Sequence, residues 1–105
     1  MKHYKMYITI QAQADLRARV RYLHEVKRSV QAAQSLLDDY VETRAVLSVL
    51  AGAIADPSDE KLKRRCLKRI NFIHHNYFML FKVEDTKVII VRIFHGLEDY
   101  KRKLQ

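Results

Sequence analysis

The chain has 105 residues, enough for one domain with a single modest core. A hydrophobic share of 49% beside a charged share of 30% fits a folded globular protein rather than a disordered one, and no apolar run approaches the roughly 20 residues that span a bilayer. The 20 Lys and Arg against 12 Asp and Glu leave a net charge of +8, which favours a polyanion or an acidic protein as partner.

The opening residues, Met1 to Lys5, lack the apolar core of a secretory signal, and the single cysteine, Cys66, excludes an internal disulfide. A cytoplasmic location with no membrane contact is therefore expected. Residues 4–10 carry strand formers, with Tyr4, Met6, Ile8 and Ile10 on one face. Leu16, Val20 and Leu23 then follow at i, i+4 and i+7, the spacing of an amphipathic helix, with Asp15 near its start. A break is expected near residues 26–28. Ser29 is placed to cap a second, longer helix to about Ala51, whose apolar stripe is Ala33, Leu36, Leu37, Tyr40, Val41, Leu47 and Leu50. Asp56, Pro57, Ser58 and Asp59 make a turn. Residues 60–67 fit either a short helix or a basic loop.

Residues 69–73 read as a strand, His74, His75 and Asn76 as a tight turn, and residues 77–83 as the next strand. The last strand is 87–95, stopped by Gly96, with a short helical tail over 97–104. The expected fold is therefore α+β: an antiparallel sheet with an N-terminal helical hairpin on one face, in the order β-α-α-β-β-β, as a single domain over 1–105. The strands flanking the polar hinge of residues 84–87 are almost continuously apolar, so both faces of the sheet need cover. The helices cover one. Phe78, Leu80, Ile89 and Val91 are expected to await a partner on the other. Two basic clusters flank this sheet: Lys61, Lys63, Arg64, Arg65, Lys68 and Arg69 before it, and Lys101, Arg102 and Lys103 after it. Together they suit an anion-binding rim.

The element order and several motifs resemble the RelE/ParE superfamily of type II toxin–antitoxin toxins. The motifs are Ile8 to Leu16 with its Asp15-Leu16 pair, Ser29 with Ala32 and Ala33, Asn76 to Val83, Val91-Arg92-Ile93-Phe94-His95-Gly96, and Asp99-Tyr100. The resemblance implies a protein that arrests growth when free, is neutralised by a cognate acidic antitoxin, and needs no metal or organic cofactor. RelE-like members cut mRNA on the ribosome; ParE-like members poison DNA gyrase. Ribosome-linked mRNA cleavage is the leading expectation. Gyrase poisoning and a non-enzymatic nucleic-acid-binding module are the alternatives.

Metal-independent RNA cleavage needs a base, an acid and cations on the phosphate. His95 is the first acid/base candidate, because imidazole titrates near working pH. Tyr100 could supply a phenol, and Arg69 completes the expected catalytic set. Arg65, Lys68, Arg92 and Lys101 are the expected phosphate contacts. Arg92 and His95 lie three apart and fall on opposite faces, with Arg92 sharing parity with Val88 and Ile90 and His95 with Ile89 and Val91, unless a bulge intervenes. Arg92 is also suited to an ion pair in the scaffold, with Asp99 as the expected acid. Tyr77 reads as core, and His74-His75 as a turn rather than a metal site. Two positions depart from the RelE-like pattern: Phe78 where an arginine is common, and Leu97-Glu98 where basic residues are common.

Overall fold

The computed structural model describes residues 3–98 and 100–104, and for Lys101 the backbone alone. The chain runs β1 (Lys5–Ile8), α1 (Ile10–Arg21), α2 (Val30–Leu50), α3 (Glu60–Arg64), β2 (Lys68–Asn71), β3 (Tyr77–Glu84), β4 (Lys87–His95) and α4 (Tyr100–Lys103). A π-helical turn over Tyr22–Val26 leads from α1 towards α2. The expected α+β class forms, with the helical hairpin and the β3–β4 hairpin in their expected places.

The strand order is β1-β4-β3-β2. The β2–β3 and β3–β4 pairs are antiparallel, but β1 joins β4 in parallel, so the sheet is mixed. Parallel neighbours need a long crossover, and here it contains both long helices. Thr9 ends the first strand sooner than the apolar pattern implied. Its Oγ1 accepts the Ala12 N–H at 3.1 Å and donates to the Val91 carbonyl at 2.8 Å, capping α1 while tying it to β4. Ile10 is thus the first helical residue and 86% exposed, not a fourth apolar position on β1. Ser29 caps α2 as expected, its Oγ accepting the Ala32 N–H at 3.0 Å.

On the helix-covered face, Ala12 and Leu16 of α1 and Leu36, Tyr40 and Leu47 of α2 pack with Met79, Phe81, Val88, Ile90 and Ile93. The other face differs from the sequence expectation. Phe78, Leu80 and Phe94 are buried there beneath the chain's own Leu62, Leu67 and Leu104, with Tyr100 and Val91 packed beside them. Phe78 and Leu80, expected to await a partner, are 1% and 0% exposed. The undecided stretch before β2 supplies this cover, because Asp59 caps α3 through the Lys61 and Leu62 N–H groups and turns Leu62 inward. Cys66 follows with φ at 57°, a left-handed residue that turns the chain from α3 into β2, and its thiol is exposed.

The second core is expected to matter energetically. Truncating the fully buried Leu62 to Ala should cost about 2–5 kcal/mol in urea unfolding. A cost below about 0.5 kcal/mol would mean that α3 does not hold the second face closed.

Candidate functional site

Strand β4 carries two of the candidate residues, Arg92 and His95. Its pairing with β3 shifts between Leu80 and Phe81, so that Leu80 faces Arg92 while Phe81 faces Ile90. Val91 is the extra residue of a β-bulge. The bulge resets the parity of everything after it: Val91, Arg92 and Phe94 take the second face, whereas Ile93 and His95 join Val88 and Ile90 on the helix side. Arg92 therefore does not share a face with Val88 and Ile90, as strict alternation implied. It still opposes His95.

Pairing with β1 stops at Ile8–Ile90. Beyond that point the outer edge of β4 meets α1 instead of a strand. Asp15 there accepts the Ile93 N–H at 2.9 Å and two guanidinium bonds from Arg92, Nε at 2.8 Å and Nη2 at 3.1 Å. Arg92 also donates through Nη1 to the Lys103 carbonyl at 3.2 Å and lies 4.6 Å from the Phe94 ring centre. The Arg92 and Asp15 side chains are only 17% and 12% exposed. Arg92 is thus held by Asp15; the expected acid, Asp99, lies outside the described residues. Next to this pair, Glu98 accepts from Arg19 at 2.5 Å, from Lys103 at 2.6 Å and from the His95 N–H at 2.9 Å. Burial alone would raise its pKa. The bonds from Lys103, the His95 amide and Arg19, with the charge of Arg19, outweigh that and hold it at about 2.

His95 packs edge-on to Tyr77, with ring centres 5.0 Å apart, and its Nδ1 accepts the Leu97 N–H at 3.1 Å. Burial raises the Tyr77 pKa, with the Arg19 charge pulling against it. Arg69 and Tyr100 are on the opposite side of the sheet. They meet in a cleft of about 340 Å³ with Pro57, Ser58, Asp59, Leu62 and Asn71. The Arg69 guanidinium sits 3.8 Å from the Phe78 ring centre and its Nε donates to Asn71 at 3.0 Å. Tyr100 stands edge-on to Phe78 and donates its phenol to Asp59 at 2.7 Å. Burial first, then that bond and the Asp59 charge, push its pKa up. The structure brings Arg69 and Tyr100 together and keeps His95 apart from them.

Of the expected phosphate contacts, Lys68 is engaged by the Ile54 carbonyl at 2.7 Å. Arg65 is exposed on the wall of a larger groove of about 670 Å³, formed by Arg64, Cys66, Leu67, Lys82, Val83, Glu84, Val91 and Leu104. Lys101 belongs to α4, and its side chain is outside what is described. Among the described residues no cluster of three His, Cys, Asp or Glu could hold a metal, and no helix is long and apolar enough to cross a membrane.

One constellation escaped the sequence reading. Asp39, 1% exposed on α2, accepts from the His74 and His75 amides, the Thr43 hydroxyl and the His75 Nδ1. His74 donates to Glu42 at 3.0 Å. Burial raises the Asp39 pKa, but the hydrogen bonds from His75 and His74 bring it below the usual carboxylate value. Ser35, Asp39 and Thr43 recur every fourth residue along α2, and that spacing was the available signal.

Over residues 7–100 the sequence matches the ParE toxin family of type II toxin–antitoxin systems, parDE. The chain belongs to this family. A solved structure of a chromosomal ParDE toxin–antitoxin system from P. aeruginosa has a TM-score of 0.70 and 21% identity, covering 89% of this chain and 96% of that one. A conserved hypothetical protein from Helicobacter pylori, solved in solution, has a TM-score of 0.58 and 13% identity, with 90% and 97% covered. At these identities the likeness is one of fold. No curated protein matches the chain.

Glu98 yields a pH prediction. Its folded pKa lies below the ordinary 4.5, so the folded state binds fewer protons than the unfolded state between 4.5 and about 2. Its stabilisation is present above that window and is lost as pH falls through it. Thermal unfolding of wild type and Glu98→Gln should therefore differ most at neutral pH and converge near the low end. A difference that persists unchanged at low pH would contradict the ion-pair origin.

Proposed function

We infer that this ParE-family toxin arrests growth by binding and poisoning DNA gyrase, without cutting RNA. The observation that carries the reading is the dispersal of the hydrolytic groups. His95 is on the helix side with Nδ1 occupied by a backbone amide; Tyr100 is on the second face with its phenol committed to Asp59; Arg92 is committed to Asp15. RNA cleavage needs base, acid and phosphate-holding cations around one phosphorus atom. A poison that works by contact needs only a presented surface. The family match supports the same choice.

An acidic antitoxin segment is the inferred neutralising partner. The groove beside Arg64, Arg65 and Lys82 suits it, because Leu67, Val91 and Leu104 give that groove apolar lining and its three cations outnumber its one acid, Glu84. This is a smaller docking surface than an uncovered sheet face. A second reading, ribosome-linked mRNA cleavage, rests on the Arg69–Tyr100 cleft, where an exposed guanidinium lies beside a phenol. There the phosphate would meet Arg69, and Tyr100 would act only after releasing Asp59.

Induced expression should stop growth, and co-expression of an acidic reading frame encoded beside it should restore growth. The purified chain should inhibit gyrase supercoiling. His95→Ala and Tyr100→Phe should leave growth arrest within about threefold of wild type, against the 10²–10⁴-fold loss expected of a general acid or base. Primer extension on cellular mRNA should show no induced cuts. Induced cuts that disappear in Tyr100→Phe or Arg69→Ala would replace the gyrase reading with the second one.

A further inference from the structure

The Asp39 cluster does more than fasten the β2–β3 connection to α2. His75 presents its Nδ1 to the Asp39 carboxylate at 2.7 Å and its Nε2 to the Ser35 hydroxyl at 3.3 Å. A carboxylate only accepts, so in the neutral ring Nδ1 carries the proton and Nε2 is the acceptor. The Ser35 O–H therefore donates to Nε2. Ser35 and Asp39 are one helical turn apart on the same side of α2, which is why one imidazole reaches both. The carboxylate is fixed by the two connector amides and Thr43, so the ring has little freedom to swing away. Ser35 itself is exposed, and the His75 side chain is 29% exposed. Ser48, on the same helix, shows the usual alternative: its hydroxyl bonds back to the Ala45 carbonyl at 2.7 Å.

We propose that Ser35 is an activated nucleophile that takes an acyl group from activated oxygen esters, with His75 as its general base and Asp39 orienting the imidazole. The Ser35 Oγ attacks the acyl carbonyl carbon as its proton passes to His75 Nε2. The tetrahedral carbon then expels the leaving oxygen, which departs with that proton or as the anion, in which case the imidazole passes the proton to solvent. An ester is left on Ser35. Water activated by the same imidazole hydrolyses it, releasing the free acid and restoring the hydroxyl. The amides of His74 and His75 both point at Asp39 and are not available as an oxyanion hole. The substrate class is limited accordingly to acyl donors whose leaving group is already a weak base, such as aryl esters and acyl phosphates. Amides and alkyl esters fall outside it. This activity is separate from growth arrest and does not rest on the gyrase reading.

The test uses the purified full chain and p-nitrophenyl acetate, following p-nitrophenolate release and mapping the acetyl group by peptide mass spectrometry. Acetylation is expected at Ser35, with Ser48 unlabelled. Ser35→Ala should remove the serine adduct and reduce p-nitrophenolate release to the background of the lysines. His75→Gln keeps the backbone amide that Asp39 accepts and offers it a side-chain donor. With its fold checked by circular dichroism, it should lower the Ser35 labelling rate by about 10²-fold. Ser48→Ala should react like wild type. Labelling of Ser35 no faster than Ser48, or wild-type labelling of Ser35 in folded His75→Gln, would overturn the proposal.

Discussion

The free edge of β4 between Val91 and His95 is the constraint on which the rest of this structure depends. A central strand that outruns its parallel neighbour leaves backbone donors without a ladder, and an unmet buried N–H costs about 1–3 kcal/mol. Asp15 meets that need at Ile93, and Arg92 balances the charge this brings into a poorly solvated place. The same contact fixes α1 against the sheet, and through α1 it fixes Arg19, which holds Glu98. The chain end after β4 is therefore moored by ion pairs and backbone bonds rather than by a further strand. Lys103 and the Lys103 carbonyl both take part.

This mooring accounts for residues that otherwise look like odd choices for a cationic active surface. Glu98 stands among Arg19, Lys103 and the His95 amide as an anchor, which explains an acid where the RelE-like pattern has bases. Phe78 stands where that pattern has an arginine, and it forms the floor on which Arg69 and Tyr100 lie. Arg92 and Arg19, cations of the kind that grip a phosphate, hold acids of the scaffold instead. The groove of Arg64, Arg65 and Lys82 keeps surface cations beside apolar side chains, a shape suited to a protein segment. That conclusion agrees with membership of a family whose members are toxins paired with antitoxins.

The sequence made some of this visible and hid the rest for physical reasons. The β3–β4 hairpin was legible because Glu84 to Lys87 interrupts two long apolar runs, and Ser29 was legible because caps use few residue types. The bulge at Val91 was not. Apolar residues fill both parities of β4, so a slip of one residue leaves no mark in the pattern. The cover of the second face was hidden in a different way: Leu62, Leu67 and Leu104 are isolated among charges, and each looks like a surface leucine until the fold brings them together. Asp39 was missed because an acid inside an apolar stripe reads as a flaw rather than as the buried acceptor of a loop. For the candidate site, the types of residue were legible, but their separation onto two faces was a matter of tertiary structure.

The most direct measurement is a double-mutant cycle on Asp15→Ala and Arg92→Ala, read by urea unfolding. A partly buried, two-point carboxylate–guanidinium contact predicts a coupling energy of about 1.5 kcal/mol or more, with Asp15→Ala the costlier single change because it also frees the Ile93 amide. Additive effects, within about 0.5 kcal/mol, would contradict the account, since Arg92 would then be independent of the scaffold and free for chemistry.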